Sequence, residues 1–185
     1  FERRGREFVL DPRDRGDTPA PWSNVIANPQ FGTVVTTGGT SYTWAINSRE
    51  NRLTPFANDP VCDASAEHLY LRDDDTGDLW TPTPGARGTL AADAEVRHAP
   101  GRTSYARLAH GIASTLDVFV DLDAPVKCAL LTLTNTADVA RRLAVVPYCQ
   151  WALGPPTDGQ HLHVVTRYDA ARGMVTATNP FNETF

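Results

Sequence analysis

The stretch "IASTLDVFVDLDAPVKCALLTLTNT", residues 112–136, decides the fold class, because two strand patterns flank a single turn. Every second residue from Leu116 to Leu122 is apolar, which predicts a β-strand that buries one face. Residues 126–133 are apolar at both parities, which is typical of a strand covered on both sides. Asp123-Ala124-Pro125 supplies turn chemistry between the two strands.

The same interpretation extends along the chain in both directions, and no segment has a convincing amphipathic helix pattern. The 13 glycines and 14 prolines are spread between short alternating segments, as in antiparallel sandwiches. The chain is therefore predicted to be all-β, a large antiparallel sandwich. Its predicted strands are residues 31–37, 41–46, 67–73, 103–111, 112–122, 126–136, 141–153, 161–169 and 173–179.

Composition narrows the class of protein. With 185 residues, of which 41% are hydrophobic and 21% charged, residues 1–185 are predicted to form one β-sandwich domain. No apolar run approaches the roughly 20 residues that span a bilayer, and no signal peptide opens the chain. The first residues lack an initiator Met and start within a pattern, so a fragment of a longer protein is expected.

Charge and cysteine content favour an intracellular protein that does not bind nucleic acid. The net charge is −5 and no Lys/Arg run is present, so a basic face for phosphate contacts is not expected. Cys62, Cys128 and Cys149 are odd in number and far apart, which argues against a disulfide framework or a CxxC metal site. A reducing cytoplasm is predicted.

Two acid- or histidine-rich segments have structural explanations. "LYLRDDDTGDLWTP", residues 69–82, is predicted to be a hairpin whose Asp side chains cap turn amides, because it lacks the calcium-loop glycine and distal glutamate. His161 and His163 would face the same way on a strand, but no further ligand is identifiable, so no metal site is predicted. No nucleophile–base pair or opposed carboxylate pair is recognisable either, and no catalytic residue is predicted.

Aromatic residues beside amides and guanidinium groups remain as candidate binding groups. Sugar C–H groups stack on aromatic rings, and sugar hydroxyls bond to amides and guanidinium groups. The pattern is compatible with a sugar-facing surface, although β-sandwich cores also use Trp and Tyr. Its members are Trp22, Tyr42, Trp44, Arg49, Arg52, Phe56, Trp80, Tyr148, Gln150 and Trp151.

Six segments together resemble one known family. They are "GREFVLDP", "TPAPWSNVIANPQFGTVV", "SYTWAINSRENRLTPFANDPVCD", "LYLRDDDTGDLWTPTP", "HGIASTLDVFVDLDAPVKCALLTLTN" and "VVTRYDAARGMVTATNPFNETF". In this order they resemble the N-terminal β-domain of cellobiose-phosphorylase-type enzymes, glycoside hydrolase family 94, formerly glycosyltransferase family 36. Within that family they are similar to the phosphorylase-like region of cyclic β-1,2-glucan synthases.

The resemblance implies a galactose-mutarotase-like β-supersandwich, here truncated at its C-terminal end, followed in the full enzyme by an (α/α)₆ barrel. Family members invert at the anomeric carbon with one aspartic acid from the barrel, while inorganic phosphate attacks as co-substrate. That acid matches no position here, so the chain alone is expected to be inactive. The resemblance also implies a homodimer that handles a β-glucan or glucoside. The expected location is the cytoplasm, at the inner face of the membrane if the parent is a cyclic glucan synthase.

The resemblance directs attention to two loops. In "NSRENRLTPFANDP", residues 47–60, Arg49 and Arg52 suit contacts to carboxylates or carbonyls, and they are also candidates for direct sugar or phosphate contact. The interface or structural candidates of this region are Trp44, Asn47, Glu50 and Phe56.

The second loop is "LGPPTDGQHLHVV", residues 153–165. A loop of this domain reaches the partner's active site in the family, and Gln160 is the matching amide, with His161 beside it. A solvent-exposed connection is the alternative. For the whole chain, the alternatives are a free-standing carbohydrate-binding module and a mutarotase-like epimerase.

Overall fold

The computed structural model describes residues 2–4, 6–11, 18–57, 59, 66–85, 94–156 and 159–182. Apart from one short 3₁₀ helix, Gln160–His163, their regular structure is all strand. The strands are β1 Glu2–Arg4, β2 Glu7–Leu10, β3 Ser23–Ala27, β4 Phe31–Thr36, β5 Ser41–Ala45, β6 Glu67–Asp73, β7 Leu79–Trp80, β8 Ala94–Ala99, β9 Arg102–Ala109, β10 Ile112–Val120, β11 Lys127–Asn135, β12 Leu143–Cys149, β13 Val165–Asp169 and β14 Met174–Thr178.

All of the strand pairs are antiparallel. The largest sheet has six strands in the order β1-β2-β8-β9-β10-β11. Two three-stranded sheets, β3-β4-β5 and β12-β6-β7, and the hairpin β13-β14 complete the described architecture. The prediction of an all-β antiparallel fold is confirmed.

The first hydrophobic core lies between the six-stranded sheet and the β3-β4-β5 sheet. Alternating residues of β10 face it, and Leu116, Val118 and Val120 are all buried. The buried residues opposite them on β3 and β4 are Ile26, Phe31 and Val35. Burial of such side chains is the main stabilising contribution, about 1.5–3 kcal/mol for each large one.

A second core lies under the β12-β6-β7 sheet. Leu71, Trp80 and Ile112 are buried there, and Leu143 packs against them. Leu131 of β11 packs against both cores, so the inner face of the large sheet is shared by two smaller sheets.

Two asparagines of β3 and its following turn fix distant turns of the large sheet. Asn24 Nδ2 donates to the carbonyl oxygens of Ala99 and Arg102, 2.8 and 3.1 Å away. Asn28 Nδ2 donates to those of Asp121 and Ala124, each 2.9 Å away. These side chains tie β3 and its turn to the β8-β9 hairpin and to the turn after β10.

Two predictions from the opening stretch are wrong in detail. Leu122 is 85% exposed, because β10 ends at Val120 and the Asp121 carboxylate accepts bonds from the next turn's N–H groups. Residues 126–133 are covered on one side only: Leu131 packs inward, whereas Leu130 is 58% exposed. β1, β2, β3 and β8 were not predicted, although the alternation of Ala94, Val96 and His98 in β8 is a strand signal.

The predicted acidic hairpin is confirmed. β6 pairs with β7, and Asp73 Oδ1 accepts hydrogen bonds from the backbone N–H groups of Asp75 and Thr76, at 2.7 and 3.1 Å. The other carboxylate oxygen accepts from the Arg141 guanidinium. These bonds, led by those from Arg141, hold the pKa of Asp73 below its usual value.

Candidate functional site

The loop after β5 reverses direction within a few residues. Ile46 has a φ of 64°, unusual for a β-branched residue, and its N–H donates to the Gln30 carbonyl at 2.6 Å. Asn47 Oδ1 then accepts from the N–H groups of Arg49 and Glu50, both at 2.9 Å. This Asx turn explains the polar run that follows the strand.

The returning chain pairs with two other segments. Arg52 forms isolated bridges with Trp44 on one side and with Gly154 on the other. The Arg52 N–H donates to the Gly154 carbonyl at 3.2 Å, and the Gly154 N–H donates back at 2.9 Å. A further bond joins the Ala152 N–H to the Leu53 carbonyl at 2.9 Å. The two loops selected from the sequence are thus held side by side.

A pocket of about 250 Å³ opens where these loops meet. Its lining combines two aromatic rings with a guanidinium, an amide and an imidazole, and prolines form part of the wall. The lining residues are Arg52, Pro55, Phe56, Gln150, Trp151, Ala152, Gly154, Pro155, Pro156 and His161.

Aromatic rings support the Arg52 side of the pocket. The Tyr42 ring stacks on Phe56 with centroids 4.7 Å apart, and the Arg52 guanidinium carbon lies 5.7 Å from the Tyr42 centroid. The Tyr42 hydroxyl donates to the Ser48 carbonyl at 2.5 Å. Burial raises the pKa of Tyr42, and this bond and the Arg52 charge offset the rise only in part.

The predicted site residues separate into two groups. Arg52, Phe56 and His161 line the pocket. Arg49 and Glu50 are not among its lining residues and form an exposed ion pair, with 3.3 Å between Nε and Oε1. Their proposed contacts with sugar or with a neighbouring domain stay predictions.

Trp44 and Asn47 have structural contacts. Trp44 lies over Gly32, where an added Cβ would come within 2.3 Å of its Cζ2 atom, and Asn47 builds the turn described above. Gln160 begins the 3₁₀ helix. Its side chain lies outside the described part of the structure, so its assignment also stays a prediction.

The two histidines of the second loop do not form the pair expected on a strand. Both lie in the 3₁₀ helix Gln160–His163, and β13 begins only at Val165. With about three residues per turn, positions i and i+2 point in different directions. His161 lines the pocket, whereas His163 packs on Phe181 with centroids 4.1 Å apart.

Gln150 and Trp151 were noted in the sequence only as members of a broad aromatic and amide set. The alternation of residues 141–153 predicts a strand to its end, but β12 stops at Cys149. Leu153 then adopts a φ of 51°, and its carbonyl accepts from the side chains of Asn179 and Asn182 at 3.1 and 2.9 Å. The change from strand to loop brings this segment to the pocket.

A buried ion pair lies elsewhere, between β6 and β11. Glu67 accepts hydrogen bonds from Thr43 at 2.6 Å, Thr54 at 2.7 Å and Lys127 at 2.5 Å. Burial raises the pKa of Glu67, but the Lys127 charge and these bonds outweigh it and hold the pKa below its usual value. Glu67 is therefore a poor proton donor near neutral pH.

The described thiols show no sign of reactivity. Burial, together with the charge of Glu67, raises the pKa of Cys149 to about 12, so it stays protonated. Cys128 and Cys149 are both free thiols, and Cys62 lies outside the described residues. Within the described ranges, no three His, Cys, Asp or Glu side chains are placed to hold a metal ion.

Membrane-spanning helices are equally absent from these ranges, where the single helix has four residues. The fold and pocket together define an antiparallel β-sandwich domain whose candidate site is built from loops. The sequence matches the family described as "Glycosyl hydrolase 94, supersandwich domain" over residues 6–185. The chain belongs to this family, and the β-supersandwich expected from the resemblance is confirmed.

Curated relatives agree with this assignment. The chain is 32% identical over 182 residues to the cyclic beta-(1,2)-glucan synthase NdvB of Rhizobium meliloti (strain 1021), covering 98% of this chain and 6% of that protein. It is 28% identical over 172 residues to the N,N'-diacetylchitobiose phosphorylase of Vibrio furnissii, covering 92% and 21%.

A third relative is the 3-O-beta-D-glucopyranosyl-beta-D-glucuronide phosphorylase of Paenibacillus borealis. It is 30% identical over 146 residues, which cover 78% of this chain and 17% of that protein. The chain therefore spans only a small part of each of these relatives.

Proposed function

We propose that the chain is a carbohydrate-binding, non-catalytic domain of a family 94 glucan phosphorylase or cyclic β-1,2-glucan synthase. Residues 1–185 would serve an (α/α)₆ catalytic domain that carries out inverting phosphorolysis or glycosyl transfer, with inorganic phosphate as co-substrate. The family match and the named activities of the relatives support this proposal. The proposed location is the cytoplasm, at the inner face of the membrane for a glucan synthase.

The observation that carries the binding role is the loop pocket. Phe56 and Trp151 offer ring surfaces, while Gln150 and Arg52 offer hydrogen-bonding groups. Such a combination suits a sugar ring with apolar faces and polar edges. The volume of about 250 Å³ lies just below the range of roughly 300–1,000 Å³ typical of ligand sites, which favours one sugar unit and weak affinity.

Acid placement supports a non-catalytic role. None of the described lining residues is a carboxylic acid, and inverting cleavage requires a general acid beside the glycosidic oxygen. Among the described residues, the buried acid Asp73 is paired with Arg141 and the partly buried Glu67 with Lys127. We expect no release of glucose 1-phosphate from cellobiose or sophorose by the purified chain.

Homodimer formation is also proposed. Large apolar side chains are exposed on the C-terminal hairpin, including Tyr168 at 69% and Val175 at 61%. Both strands of a two-stranded sheet have an open edge, which favours association. Light scattering at about tens of micromolar protein tests this, and a clean monomer would contradict it.

Sugar binding is tested by NMR titration of the chain with sophorose and cellobiose. We expect affinities in about the millimolar range, reduced about fivefold or more in Phe56→Ala and Gln150→Ala. Leu122→Ala, which shortens an 85% exposed side chain outside the pocket lining, is the control and should bind as the unmutated chain does. Unchanged sugar affinity in both Phe56→Ala and Gln150→Ala would contradict the proposal that the sugar binds in this pocket.

The same titration separates the alternatives. About micromolar affinity would favour a free-standing binding module over a supporting domain. Interconversion of α- and β-anomers of glucose, followed by NMR, would favour an epimerase. That reaction needs a histidine and an acid across a substrate, whereas His110 and Asp78, 3.4 Å apart, lie outside the pocket lining.

A further inference from the structure

We propose that the pocket binds an oxyanion, either the carboxylate of an acidic sugar or a phosphate group, and that Arg52 is the residue that recognises it. The sugar ligand class rests on the proposed carbohydrate-binding function. The expected preference for an anion is argued separately, from the contacts that Arg52 makes.

Arg52 lacks the acidic partner that most described arginines have. No carboxylate among the described residues forms an ion pair with it. It bonds weakly to the Phe56 carbonyl, with 3.4 Å from Nη1, and faces the Tyr42 ring. Arginines paired with an acid in the same structure are Arg49, Arg72, Arg97, Arg102, Arg141, Arg142 and Arg172.

The Arg52 guanidinium also has N–H groups that make no hydrogen bond within the described residues. Arg52 Nε is inaccessible to solvent and has no hydrogen-bond partner in the described part of the chain. A ligand oxygen cannot reach this solvent-inaccessible atom while the side chain keeps its position, so an anion would bond to the Nη groups, of which Nη1 has only the 3.4 Å contact with the Phe56 carbonyl. A carboxylate or phosphate can accept from two nitrogens of the planar group at once.

Backbone hydrogen bonds fix the position of Arg52 in the pocket wall before any ligand binds. Its N–H and C=O groups both bond to Gly154, and the flanking Leu53 N–H donates to the Thr43 carbonyl at 2.9 Å. The backbone of Arg52 is therefore anchored between β5 and the second loop, and its side chain is placed by the Tyr42 ring and the Phe56 carbonyl. A pre-positioned guanidinium loses less entropy on binding than a mobile one.

The other lining groups reinforce the preference for an anion. Gln150 and His161 can donate hydrogen bonds, and none of the described lining residues carries a negative charge. Trp151, Pro155 and Pro156 form part of the pocket wall. Charge attraction between a ligand and Arg52 is stronger beside such low-dielectric walls than in bulk water.

The test compares two ligands that differ only at one group. Methyl β-D-glucuronide carries a carboxylate where methyl β-D-glucoside carries a hydroxymethyl group. In NMR titrations of the full chain at low salt, we expect the glucuronide to bind about tenfold more tightly than the glucoside. Inorganic phosphate, added as a separate arm, identifies phosphate as the ligand if it binds more tightly than the glucuronide.

Substitutions at Arg52 test whether this side chain causes the preference for glucuronide over glucoside. Arg52→Met should reduce glucuronide affinity to the level of the glucoside, and Arg52→Lys should keep part of the difference. Arg142→Met removes a 75% exposed arginine outside the pocket lining and should leave the ratio unchanged. Thermal unfolding of each variant establishes that it is folded.

The outcomes are separable from those of the proposed function. Equal binding of both glycosides by the unmutated chain, or a preference that survives in Arg52→Met, overturns the oxyanion site while leaving neutral sugar binding intact. Conversely, binding of glucuronide or phosphate without any binding of sophorose or the glucoside supports the oxyanion site and rejects the neutral sugar role. If no anion binds, and Arg52→Met instead abolishes dimer formation, Arg52 recognises protein and the inference fails.

Discussion

Lys127 Nζ donates a 2.5 Å hydrogen bond to Glu67 Oε2, and this pair joins strands β11 and β6, which belong to different sheets. Both side chains are only 17% exposed. Ser41 of β5 also bonds to both partners, at 2.8 Å from Lys127 and 3.1 Å from Glu67. This charge pair, together with Ser41, therefore connects three of the four described sheets.

Removing the cation should expose the dependence of the fold on this pair. Lys127→Met leaves the Glu67 charge buried without its partner, and we expect the free energy of unfolding to fall by about 3 kcal/mol. Urea unfolding followed by circular dichroism measures the change. The double variant Glu67→Gln/Lys127→Met should recover part of the loss, and equal stabilities of all three proteins would contradict a role for the pair.

His98 should make stability depend on pH. It is 7% exposed, and burial lowers its pKa to about 4 from 6.5, an effect that a hydrogen bond with the Trp22 backbone offsets only in part. In the unfolded chain the His98 ring binds a proton below about pH 6.5, whereas in the folded chain it does so only near pH 4. The stability contributed by neutral His98 is therefore complete above pH 6.5 and is lost as the pH falls from 6.5 to 4.

The size of this effect follows from the shift. We expect the free energy of unfolding to fall by about 2–3 kcal/mol between pH 7 and pH 4 through His98 alone. His98→Gln should show a smaller fall over this range, because it has no titrating ring. Measuring the ring protons by NMR gives an independent value, and a pKa near 6.5 in the folded protein would contradict the prediction.

Gly32 should resist substitution because Trp44 covers it. A Cβ at this position would lie 2.3 Å from Trp44 Cζ2, so the indole must shift. We expect Gly32→Ala to lower the free energy of unfolding by about 1–3 kcal/mol, measured by denaturant unfolding. In a Trp44→Val background, Gly32→Ala should lower the free energy of unfolding by less. An equal loss of stability in both backgrounds would show that contact with Trp44 is not its cause.

Gln160 can be tested only in the full-length parent enzyme. Gln160→Ala should weaken use of the acceptor sugar by about 1–2 kcal/mol, the scale of one or two lost hydrogen bonds, with donor kinetics nearly unchanged. Steady-state kinetics with varied acceptor measure this effect. Leu122→Ala, at an 85% exposed position outside the pocket, serves as the control. Acceptor kinetics of Gln160→Ala equal to those of the unmutated enzyme would identify the loop as a connection only.

Much of the fold was predictable because strand facing is local information. Alternation in β10 places Leu116, Val118 and Val120 in the core, and the acidic hairpin has its turn chemistry in its own residues. The error at Leu122 arose because alternation does not show where a strand ends. That end is set by Asp121, whose carboxylate accepts hydrogen bonds from the N–H groups of Asp123 and Ala124 in the turn after β10.

The candidate site was predictable only in part. Local sequence indicated the polar loop with Arg52 and Phe56 and the second loop with His161. It gave no means of pairing Arg52 with Gly154, or of selecting Gln150 and Trp151 from a longer set of aromatic and amide residues. Those relationships depend on where two loops far apart in the chain come to lie.

By itself, the sequence determined the all-β class, most of the strands, the family, and the two loops that carry the candidate binding groups. Periodicity and turn chemistry act within about ten residues, and motifs are read in chain order. Tertiary structure alone decided that Arg52 lines a pocket without an acidic partner among the described residues, and that Glu67 meets Lys127, 60 residues later in the chain. Such pairings are set by how sheets pack across a shared core, where burial and charge compensation act between residues with no local relationship.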